Sequence, residues 1–551
     1  MKTDSKPTIF TAKKIITMNP VVPEAAAVAV RGDRILAVGA PDELKGWGEH
    51  VIDETFKDKI LTPGFVEAHS HVLEGILWMF PYVGFFDRRD PDGRVWQGCR
   101  DLDALSRRLK ELETELASAD EPLVVWGVDP LYFAGDRLTA TNLDVISTTR
   151  PIFVLHASGH LATVNTALMN QQGIDEKTDV VGVAKGADNK PTGELQELKA
   201  IMLAGDFLQQ VIGSYRSPKA WHNFGRLANN VGCTTITDLG FLNLDDDAVE
   251  LLRSVVDTPD YPVRVTVLYS LVGQSEADLD EVAEYVAAQA KRSSEKLHLG
   301  QVKLVLDGSI QGFTARLRPP GYYGRNDNGI WTSPPEKCFD TLLPFHKKGV
   351  TVHCHCNGDE AVDVFLNAVE QAQAEYYRPD IRHTVQHCQL ATIDQYQRMA
   401  ALGVCANIFT NHLFYWGDQH VAATVGPDRA MRMEACATAK LHNIHFSLHS
   451  DAPVTPLGQL HTAWCAVNRL TSSGRTLGEY EKISVYDALY AVTLDGAYTL
   501  GLDRELGSIE PGKLADFTVF EEDPLAVDPA RLKDIGVWGT VLGGKVIPAA
   551  K

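Results

Sequence analysis

Two histidines separated by one residue are the first groups in this chain whose types and spacing could do chemistry. His69 and His71 follow an apolar segment that is interrupted at Pro63-Gly64. In an extended segment, side chains two positions apart point to the same side, so both imidazoles can reach one metal ion. A short His-x-His pattern also describes two solvated or core-packed histidines, and that alternative stays open until other ligand types join them.

Composition restricts the partners and the compartment. The chain has 551 residues, of which 44% are apolar, and a net charge of −20. An acidic surface argues against nucleic acid and anionic membranes as partners, and no apolar run reaches the roughly 18 residues of a membrane span. The start lacks the apolar core of a signal peptide, and nine scattered cysteines do not suggest a disulfide framework. We therefore expect a cytoplasmic protein that acts on a small molecule.

The middle of the chain alternates short β-rich runs with helix-like stretches. This pattern predicts parallel strands joined by crossover helices, and eight such strands can close a (β/α)8 TIM barrel with its site at the carboxyl ends. The eight are the strand before His69 and the runs Cys233–Leu239, Val263–Tyr269, Val302–Asp307, Val350–His355, His383–His387, Val404–Phe409 and Ile444–Asp451.

Strand-turn patterns at both ends predict a second, smaller domain. We expect residues 1–60 and 500–551 to form one β-sandwich, with the barrel over residues 61–499. Two unrelated β extensions are the alternative. Residues 75–215 are too long for one crossover, so we predict an insertion subdomain after the first barrel strand. The insertion is expected to form a lid, with structural packing alone as the alternative.

Further ligand types stand at the ends of later strands. The residue nearest the carboxyl end of each inward face is His355 in the fifth strand, His387 in the sixth and Asp451 in the eighth. The period of two places Cys354 and Cys356 on the opposite face from His355, so we do not expect these thiols to be ligands. Nitrogen and carboxylate ligands suit zinc or a similar first-row divalent ion.

Lys303 in the fourth strand differs from the other candidates because an ammonium group is not a metal ligand. Burying it among cations would be costly, whereas a carbamate formed with CO2 is anionic and can bridge two ions. An ion pair between Lys303 and Asp307 is an equal alternative.

At this point the residues resemble the amidohydrolase superfamily, and within it the branch of metal-dependent hydrolases that includes N-substituted formamide deformylase. The resemblance covers almost the whole chain. It rests on these segments: Pro63-Gly-Phe-Val-Glu-Ala-His-Ser-His71, Ser158-Gly-His160 with Asn165, Gly193-Glu-Leu-Gln-Glu197, Val302-Lys-Leu-Val-Leu-Asp-Gly-Ser309 with Thr314-Ala315, His355-Cys-Asn-Gly-Asp359, Gln386-His-Cys-Gln-Leu390, Ser450-Asp-Ala-Pro453 and Gly507-Ser-Ile-Glu-Pro-Gly-Lys-Leu-Ala-Asp516.

The resemblance implies a distorted barrel with a β-sandwich built from both termini, and a homodimer. It also implies two zinc ions per chain. His69 and His71 match ligands of the buried ion, a carboxylated Lys303 matches the bridge, and His355 and His387 match ligands of the outer ion. Asp451 matches the carboxylate that binds metal and handles the proton. Three departures put the substrate in doubt: Ile310-Gln-Gly-Phe313, Gln386 where Glu is frequent, and Cys356-Asn357.

We therefore predict a hydrolase that cleaves an amide-type C–N bond with a metal-activated hydroxide and Asp451 as acid and base. His160 is expected to donate to the oxyanion, and a loop after the seventh strand is expected to present His412 and Trp416 to the substrate, or to pack against the lid. The alternatives are a deaminase of the same fold with one metal, and a non-enzymatic ligand-binding protein.

Overall fold

The computed structural model describes residues 6–118, 121–133, 137–159, 161–241, 244–272 and 278–550. The chain divides into two compact units. The first contains Met1–His71, Ala228–Asp451 and Leu457–Ala549, and the second contains Val72–Leu227, Ala452–Pro456 and Ala550–Lys551. The barrel strands and the terminal strands both belong to the first unit. The predicted boundary between barrel and terminal domain stays a prediction.

A curved parallel sheet of eight strands forms the centre of the first unit. Numbered in chain order within this sheet, the strands are β1 (Phe65–Val66), β2 (Cys233–Phe241), β3 (Arg264–Ser270), β4 (Val302–Val305), β5 (Val352–Cys356), β6 (Thr384–His387), β7 (Cys405–Ile408) and β8 (Phe446–Leu448). Each strand pairs with the next one in order, and a short ninth segment, Leu297–His298, pairs with β3. The eight predicted strands are therefore confirmed.

The first and last strands of this sheet meet at their carboxyl ends. Within the described ranges, no ladder of backbone hydrogen bonds joins β1 to β8. Instead, the backbone N–H of Asp451 donates to the carbonyl of His69 at 3.1 Å, and the Asn407 side chain donates to the Ala68 carbonyl at 3.2 Å. The sheet thus fits a distorted TIM barrel whose gathered ends place residues after different strands side by side.

Helices follow most of these strands, as expected for parallel strands that need crossover connections. Pro218–Asn230 precedes β2. The later helices of the first unit are Asp246–Val256, Leu279–Gln289, Cys338–Lys347, Asp359–Glu375, Ile393–Leu402, Asn411–Gln419, Gly426–Ala430, Cys436–Leu441, Gln459–Asn468, Val485–Ala491 and Leu494–Thr499.

Both ends of the chain join one seven-stranded sheet. Its order is Lys545–Pro548, Val537–Leu542, Phe517–Phe520, Val51–Pro63, Thr8–Ile16, Glu24–Arg31 and Arg34–Gly39, with the helix Pro41–Leu44 beside it. Alternate residues face two apolar clusters, with Phe10 and Val28 in one and Ile9 and Ala27 in the other. The pairing of the two termini excludes two unrelated extensions. The sandwich arrangement stays a prediction.

Gly64 connects the terminal sheet to the barrel. It lies between the strand Val51–Pro63 and β1, where a Cβ would come within 1.9 Å of the Thr234 hydroxyl oxygen. Only glycine allows so close an approach. The terminal sheet therefore leads directly into the strand that carries His69.

The insertion has its own sheet and core. The sheet runs in the order Val183–Lys185, Pro191–Gln196, Leu161–Val164, Ile152–His156 and Leu123–Val128, and Arg88–Arg89 pairs with Val95–Trp96. The helix Leu102–Glu115 begins after Asp101, whose carboxylate accepts from the Ala104 N–H, and it buries apolar residues at helical spacing in the core of the insertion. The remaining helices are Leu73–Leu77, Ala140–Asp144, Thr166–Gln172, Glu197–Ile201 and Asp206–Ile212. A lid role for the insertion stays a prediction.

Two further sequence-based expectations can be checked. All nine cysteines are buried and unpaired, as expected for a chain without a disulfide framework. In the part of the chain that the structure describes, no helix combines the length and the apolar character that a membrane crossing requires.

Candidate metal centre

His69, His71 and Asp451 converge where β1 and β8 meet. The Nε2 atoms of His69 and His71 lie 3.3 Å and 3.4 Å from Oδ1 of Asp451. One ligand atom from each of the three residues lies within 4.8 Å of the other two. Asp451 has a left-handed backbone, with φ +52°, three residues after the end of β8. Such strained positions are common at functional sites, and here the strain accompanies a sharp turn of the chain toward β1.

A chain of hydrogen bonds fixes the orientation and tautomer of His69. The Leu500 carbonyl accepts from Gln301 Nε2 at 2.7 Å, and Gln301 Oε1 accepts from His353 Nε2 at 2.9 Å. Nδ1 of His353 is thus an acceptor for Gln386 Nε2 at 2.7 Å, and Gln386 Oε1 accepts from His69 Nδ1 at 2.6 Å. His69 therefore carries its proton on Nδ1 and presents the lone pair of Nε2 toward Asp451, which suits metal binding.

His71 and Asp451 carry opposite charges. Burial disfavours the charged form of His71, but its contacts with Asp238 and Asp451 outweigh burial and raise its pKa to about 9. Burial also disfavours the charged form of Asp451, whereas the nearby His71 lowers the pKa of Asp451 below its ordinary value. A bound cation would take the place of the His71 proton, because ligating imidazoles must be deprotonated.

Glu67 holds the ends of β1 and β8 together and was not predicted from the sequence. Its carboxylate accepts from the hydroxyl of Ser450 at 2.6 Å and from the backbone N–H of His69 at 3.1 Å. Burial raises the pKa of Glu67 to about 8. The sequence did hold a signal for Glu67. It lies two residues before His69, so in an extended segment its side chain points to the same side as the two histidines.

Lys303 is buried within reach of His69. Its Nζ atom lies 3.4 Å from His69 Nε2, and burial lowers the pKa of Lys303 to about 8. An amine with a lowered pKa has a larger neutral fraction, which is the form that reacts with CO2. Among the described residues Lys303 makes no ion pair with Asp307, so the structure does not favour that alternative.

Asp307 and His355 lie close together near the ends of β4 and β5, and the His355 ring packs 4.3 Å from the His387 ring between centroids. The Asp307 carboxylate accepts from the backbone N–H groups of Arg316, Asn357 and Gly358 at 2.8–3.0 Å, and burial raises its pKa to about 7. Nε2 of His355 lies 3.1 Å from the Gly308 carbonyl oxygen and 3.6 Å from Asp307 Oδ1. The structure does not gather His355 with the other predicted ligands into a single group of candidate ligand atoms.

His387 lies in a second group of candidate ligands, with His69 and His449. One ligand atom from each of the three residues lies within 4.8 Å of the other two, and all three side chains are buried. His387 has φ +70° at the end of β6. Among the described residues, neither ring nitrogen of His387 or of His449 has a hydrogen-bond partner. His449 lies two residues before Asp451, and the rule that took the residue nearest the carboxyl end of each inward face did not select it.

The side chains of these two groups fit a divalent ion. Buried polar atoms almost always have partners, so the ring nitrogens of His387 and His449, which make no hydrogen bond among the described residues, fit the role of metal ligands. Imidazoles with one carboxylate are the donor set of zinc and related first-row ions.

The predicted substrate-binding residues lie in different places. His160 lies outside the described residues. His412 and Trp416 were predicted in a loop, but this was wrong: both lie on the helix Asn411–Gln419, where Asn411, His412, Leu413, Tyr415 and Trp416 are buried. A segment with so many apolar and aromatic residues buries them by forming a helix rather than an open loop.

Helix Asn411–Gln419 also holds His412 in a fixed orientation. Nδ1 of His412 lies 3.1 Å from His420 Nε2, and His420 Nδ1 lies 2.8 Å from the Thr424 hydroxyl. The ring of His412 packs 4.6 Å from Phe409 and 4.4 Å from Trp416, measured between centroids. Phe409 in turn stacks on His449 at 4.6 Å, which connects His412 to the metal-binding groups.

The positions of the thiols next to His355 do not indicate a role as metal ligands. The sulfur atoms of Cys354 and Cys356 lie 3.6 Å apart, and neither residue belongs to the two groups of candidate ligands. This agrees with the alternation predicted for β5.

The family of the chain follows from comparison with known proteins. A family model described as the amidohydrolase family matches residues 56–548. The chain belongs to the amidohydrolase family. Among its relatives, Protein LONG AFTER FAR-RED 3 of Arabidopsis thaliana is 27% identical over 98% of this amidohydrolase and 91% of the relative. N-substituted formamide deformylase of Arthrobacter pascens is 23% identical over 94% of each chain.

A solved structure supports the fold of this amidohydrolase. An uncharacterized metal-dependent hydrolase from Pyrococcus horikoshii OT3 superimposes with a TM-score of 0.72 and 19% sequence identity, covering 95% of this chain and 99% of the other. The amidohydrolase fold therefore extends over nearly the full length of both proteins.

Proposed function

We propose that this amidohydrolase is a metal-dependent hydrolase that cleaves an amide-type C–N bond of a small molecule, such as a formamide or an N-acyl compound. The observation that carries the proposal is the approach of His69 Nε2 and His71 Nε2 to Asp451 Oδ1, at 3.3 Å and 3.4 Å. The relative named N-substituted formamide deformylase supports the choice of bond, at 23% identity.

In this proposal His69, His71 and Asp451 hold one divalent ion, with zinc the expected metal. A carboxylated Lys303 would be shared with a second ion, which His355 and His387 would also hold. Such ions would supply a water of lowered pKa and polarise a carbonyl group. Nε2 of His355 lies 3.1 Å from the Gly308 carbonyl oxygen, and its Nδ1 is the other ring nitrogen that could bind an ion.

Asp451 is the proposed acid and base. The lowered pKa of Asp451, caused by the nearby His71, keeps its carboxylate ionised and able to accept a proton from the attacking water. Asp451 then gives this proton to the nitrogen that leaves as the C–N bond breaks. The N–H of Asp451 is bound to the His69 carbonyl, which holds the carboxylate beside the two histidines.

His412 and Trp416 are the proposed contacts to the substrate, together with His160 as a donor to the developing oxyanion. The 4.4 Å packing of His412 on Trp416 gives one polar group on an otherwise apolar wall. Such a wall suits a substrate with an apolar or aromatic group next to its amide.

Replacement of Asp451 by Asn tests the proton role. The amide side chain can still approach a metal ion but cannot accept a proton, so we expect D451N to keep its metal and to lose about 10²–10⁴-fold in kcat. The assay uses a panel of formamides, N-acyl amino acids and cyclic amides, with and without a chelator. Turnover of D451N within several-fold of the parent would show that Asp451 is not the acid and base.

A deaminase with one metal is the second candidate. It is favoured by the positions of His69, His71 and Asp451, which can complete one ion without Lys303 or His355. Metal content separates the two candidates, because two ions per chain support the bridged hydrolase and one ion supports the deaminase. If the panel gives no chelator-sensitive turnover of any amide or amine, a binding protein on the same fold is supported instead.

A further inference from the structure

His449 follows β8 and lies two residues before Asp451. The period of two places the two side chains on the same face of an extended segment. His449 is fully buried, at 0% exposure, so its ring has left water completely. His449 is not among the ligands proposed above.

The ring nitrogens of His449 need a partner. Within the described ranges neither Nδ1 nor Nε2 of His449 has a hydrogen bond. A buried polar atom without a partner destabilises the fold, and a neutral imidazole has one donor and one acceptor to satisfy. The ring stacks at 4.7 Å on His69 and at 4.6 Å on Phe409. Stacking alone would be served equally well by phenylalanine, which has no nitrogens to satisfy.

The surroundings of His449 identify the missing partner as a cation. His69, His387 and His449 each offer a ligand atom within 4.8 Å of the others. The His387 nitrogens also have no hydrogen bond among the described residues, and Nδ1 of His387 lies 3.7 Å from Asp451 Oδ2. Three nitrogens that bind one tetrahedral zinc ion at about 2.1 Å lie about 3.4 Å apart, so small side-chain movements would close the set. Hydrogen bonds between the rings do not explain the arrangement, because among the described residues no hydrogen bond joins any two of these three histidines.

We propose that His449 is a metal ligand that joins His69 and His387 in an all-nitrogen set. This extends the metal-dependent function proposed above and rests on it. A first-row divalent ion that prefers imidazole, such as zinc, fits this set. His69 belongs to both groups of candidate ligands but has one lone pair to give, on Nε2, because its Nδ1 donates to Gln386. One ion therefore takes His69 for both groups. In this proposal His387 and His449 join His71 and Asp451 around that ion, in place of the second-ion position given to His387 above.

Two variants of His449 and one control variant in the same segment test the proposal. H449F keeps an aromatic ring between His69 and Phe409 but removes the nitrogens, and H449N removes the ring. H445N is the matched control, because His445 lies in the same segment and its Nδ1 binds Asp495 at 2.8 Å rather than the metal groups. The full-length proteins are stripped of metal, reloaded with Zn2+ and titrated against a competing chelator.

Loss of a supporting residue around a metal typically weakens affinity about 10–100-fold, so loss of a direct ligand should weaken Zn2+ binding at least about 100-fold in H449F and H449N. H445N should bind like the parent. X-ray absorption at the zinc edge should show one imidazole fewer in both His449 variants. Parent-like affinity and an unchanged imidazole count in H449F would overturn the proposal.

A measurement on the parent covers the case in which both His449 variants fail to fold. In a crystal structure of the zinc-loaded parent, a His449 nitrogen about 2.1 Å from zinc supports the proposal, and a distance beyond about 3 Å overturns it. Amide hydrolysis is assayed in parallel. If zinc binding depends on His449 but no amide is cleaved, the proposed function fails and the ligand assignment stands.

Discussion

Gln386 determines which nitrogen of His69 faces the metal centre. Its amide oxygen accepts from His69 Nδ1 and also from Asn407 Nδ2 at 2.9 Å, and its amide N–H group donates to His353. The direction of every bond follows from the Leu500 carbonyl, which can only accept. A glutamate at this position could not donate to His353, so the amide matters as much as the size of the side chain.

Replacement of Gln386 by Leu is expected to weaken metal binding. The variant keeps the volume but leaves His69 Nδ1 and His353 Nδ1 without their partner, and the tautomer of His69 is no longer fixed. We expect Zn2+ affinity to fall about 10–100-fold, measured by chelator competition. Q373L, which removes a glutamine bonded to the backbone of Arg378 in the same unit, is the control. Equal affinities of Q386L and the parent would show that the relay does not position His69.

Alternation along strands predicted the inward face of each strand, and after the His69–His71 pair we took one residue from each later face. The structure brings His69, His71, Lys303, His387 and Asp451 near one another, and the ring of His355 packs 4.3 Å from that of His387. Taking one residue per face passed over His449, which lies two residues before Asp451 on the same face. It also missed Gln386, since an uncharged amide is not a ligand and only the three-dimensional relay shows its role.

A π-helical turn extends the helix that carries His412. Residues His420–Thr424 form this turn directly after Asn411–Gln419. Among the described residues the Thr424 hydroxyl has no acceptor other than His420 Nδ1, so the hydroxyl donates to His420 and His420 donates to His412. Nε2 of His412 then carries a proton. Single π turns of this kind often occur at functional sites.

Replacement of Thr424 by Val should destabilise the fold. Valine has the same shape but no hydroxyl, so His420 Nδ1 becomes a buried acceptor without a donor. We expect the free energy of unfolding to fall by about 1–3 kcal/mol, measured by urea denaturation. T424S keeps the hydroxyl and loses only one buried methyl group, so its cost should be about 1 kcal/mol and smaller than that of T424V. A T424V protein as stable as the parent would show that the Thr424 hydroxyl does not satisfy His420 Nδ1.

At the scale of elements, the strands were easier to predict than the segments between them. The β-rich runs are separated by helices and bounded by turns, and this pattern was enough to predict all eight barrel strands. The segment Asn411–Trp416 was predicted as a loop because it follows a strand end and carries several aromatic residues. Its helix is stabilised by burial of those residues, which depends on partners elsewhere in the chain and not on local propensity.

A buried ion pair connects the barrel to the terminal sheet across the first unit. Arg264, at the start of β3, donates to Asp516 at 2.7 Å and 3.1 Å, and Asp516 also accepts from the Gly543 N–H at 2.7 Å. Both side chains are almost fully buried. The closing sequence motif Gly507–Asp516 thus ends at a residue that joins two sheets.

Removal of the Asp516 charge should cost more stability than removal of a surface charge. D516N leaves the buried Arg264 guanidinium with only the exposed Glu295 carboxylate, at 3.2 Å, as a counter-charge, so we expect the free energy of unfolding to fall by up to about 3–5 kcal/mol. E375Q is the control, because Glu375 pairs with Lys347 at the surface and should change stability by less than about 0.5 kcal/mol. Urea denaturation measures both. A loss below about 1 kcal/mol in D516N would contradict a structural role for the pair.

Buried neutral histidines should make the metal-free protein sensitive to acid. Burial lowers the pKa of six of them to about 3 or 4, namely His156, His298, His353, His420, His449 and His461. In the unfolded chain the same groups take up protons near their ordinary pKa of 6.5. Below that pH the unfolded state binds more protons than the folded state, so stability falls as pH falls.

The expected loss of stability is several kcal/mol between about pH 6.5 and pH 5, as an order of magnitude. Glu67 and Asp307 offset part of it, because burial raises the pKa of Glu67 to about 8 and that of Asp307 to about 7, so the folded state binds their protons more readily. Urea midpoints of metal-stripped protein at about pH 7.5, 6.5 and 5.5 provide the measurement. A midpoint that is flat or rises on acidification would contradict the prediction.

The hydrogen bond between the Asp451 N–H and the His69 carbonyl has a consequence for biosynthesis. The two residues are 382 positions apart in the chain, yet they hold adjacent ligands. A ribosome must therefore have translated most of the polypeptide before these ligands can meet. Until residue 451 has been made, the His69–His71 pair lacks the carboxylate that completes its group of candidate ligands.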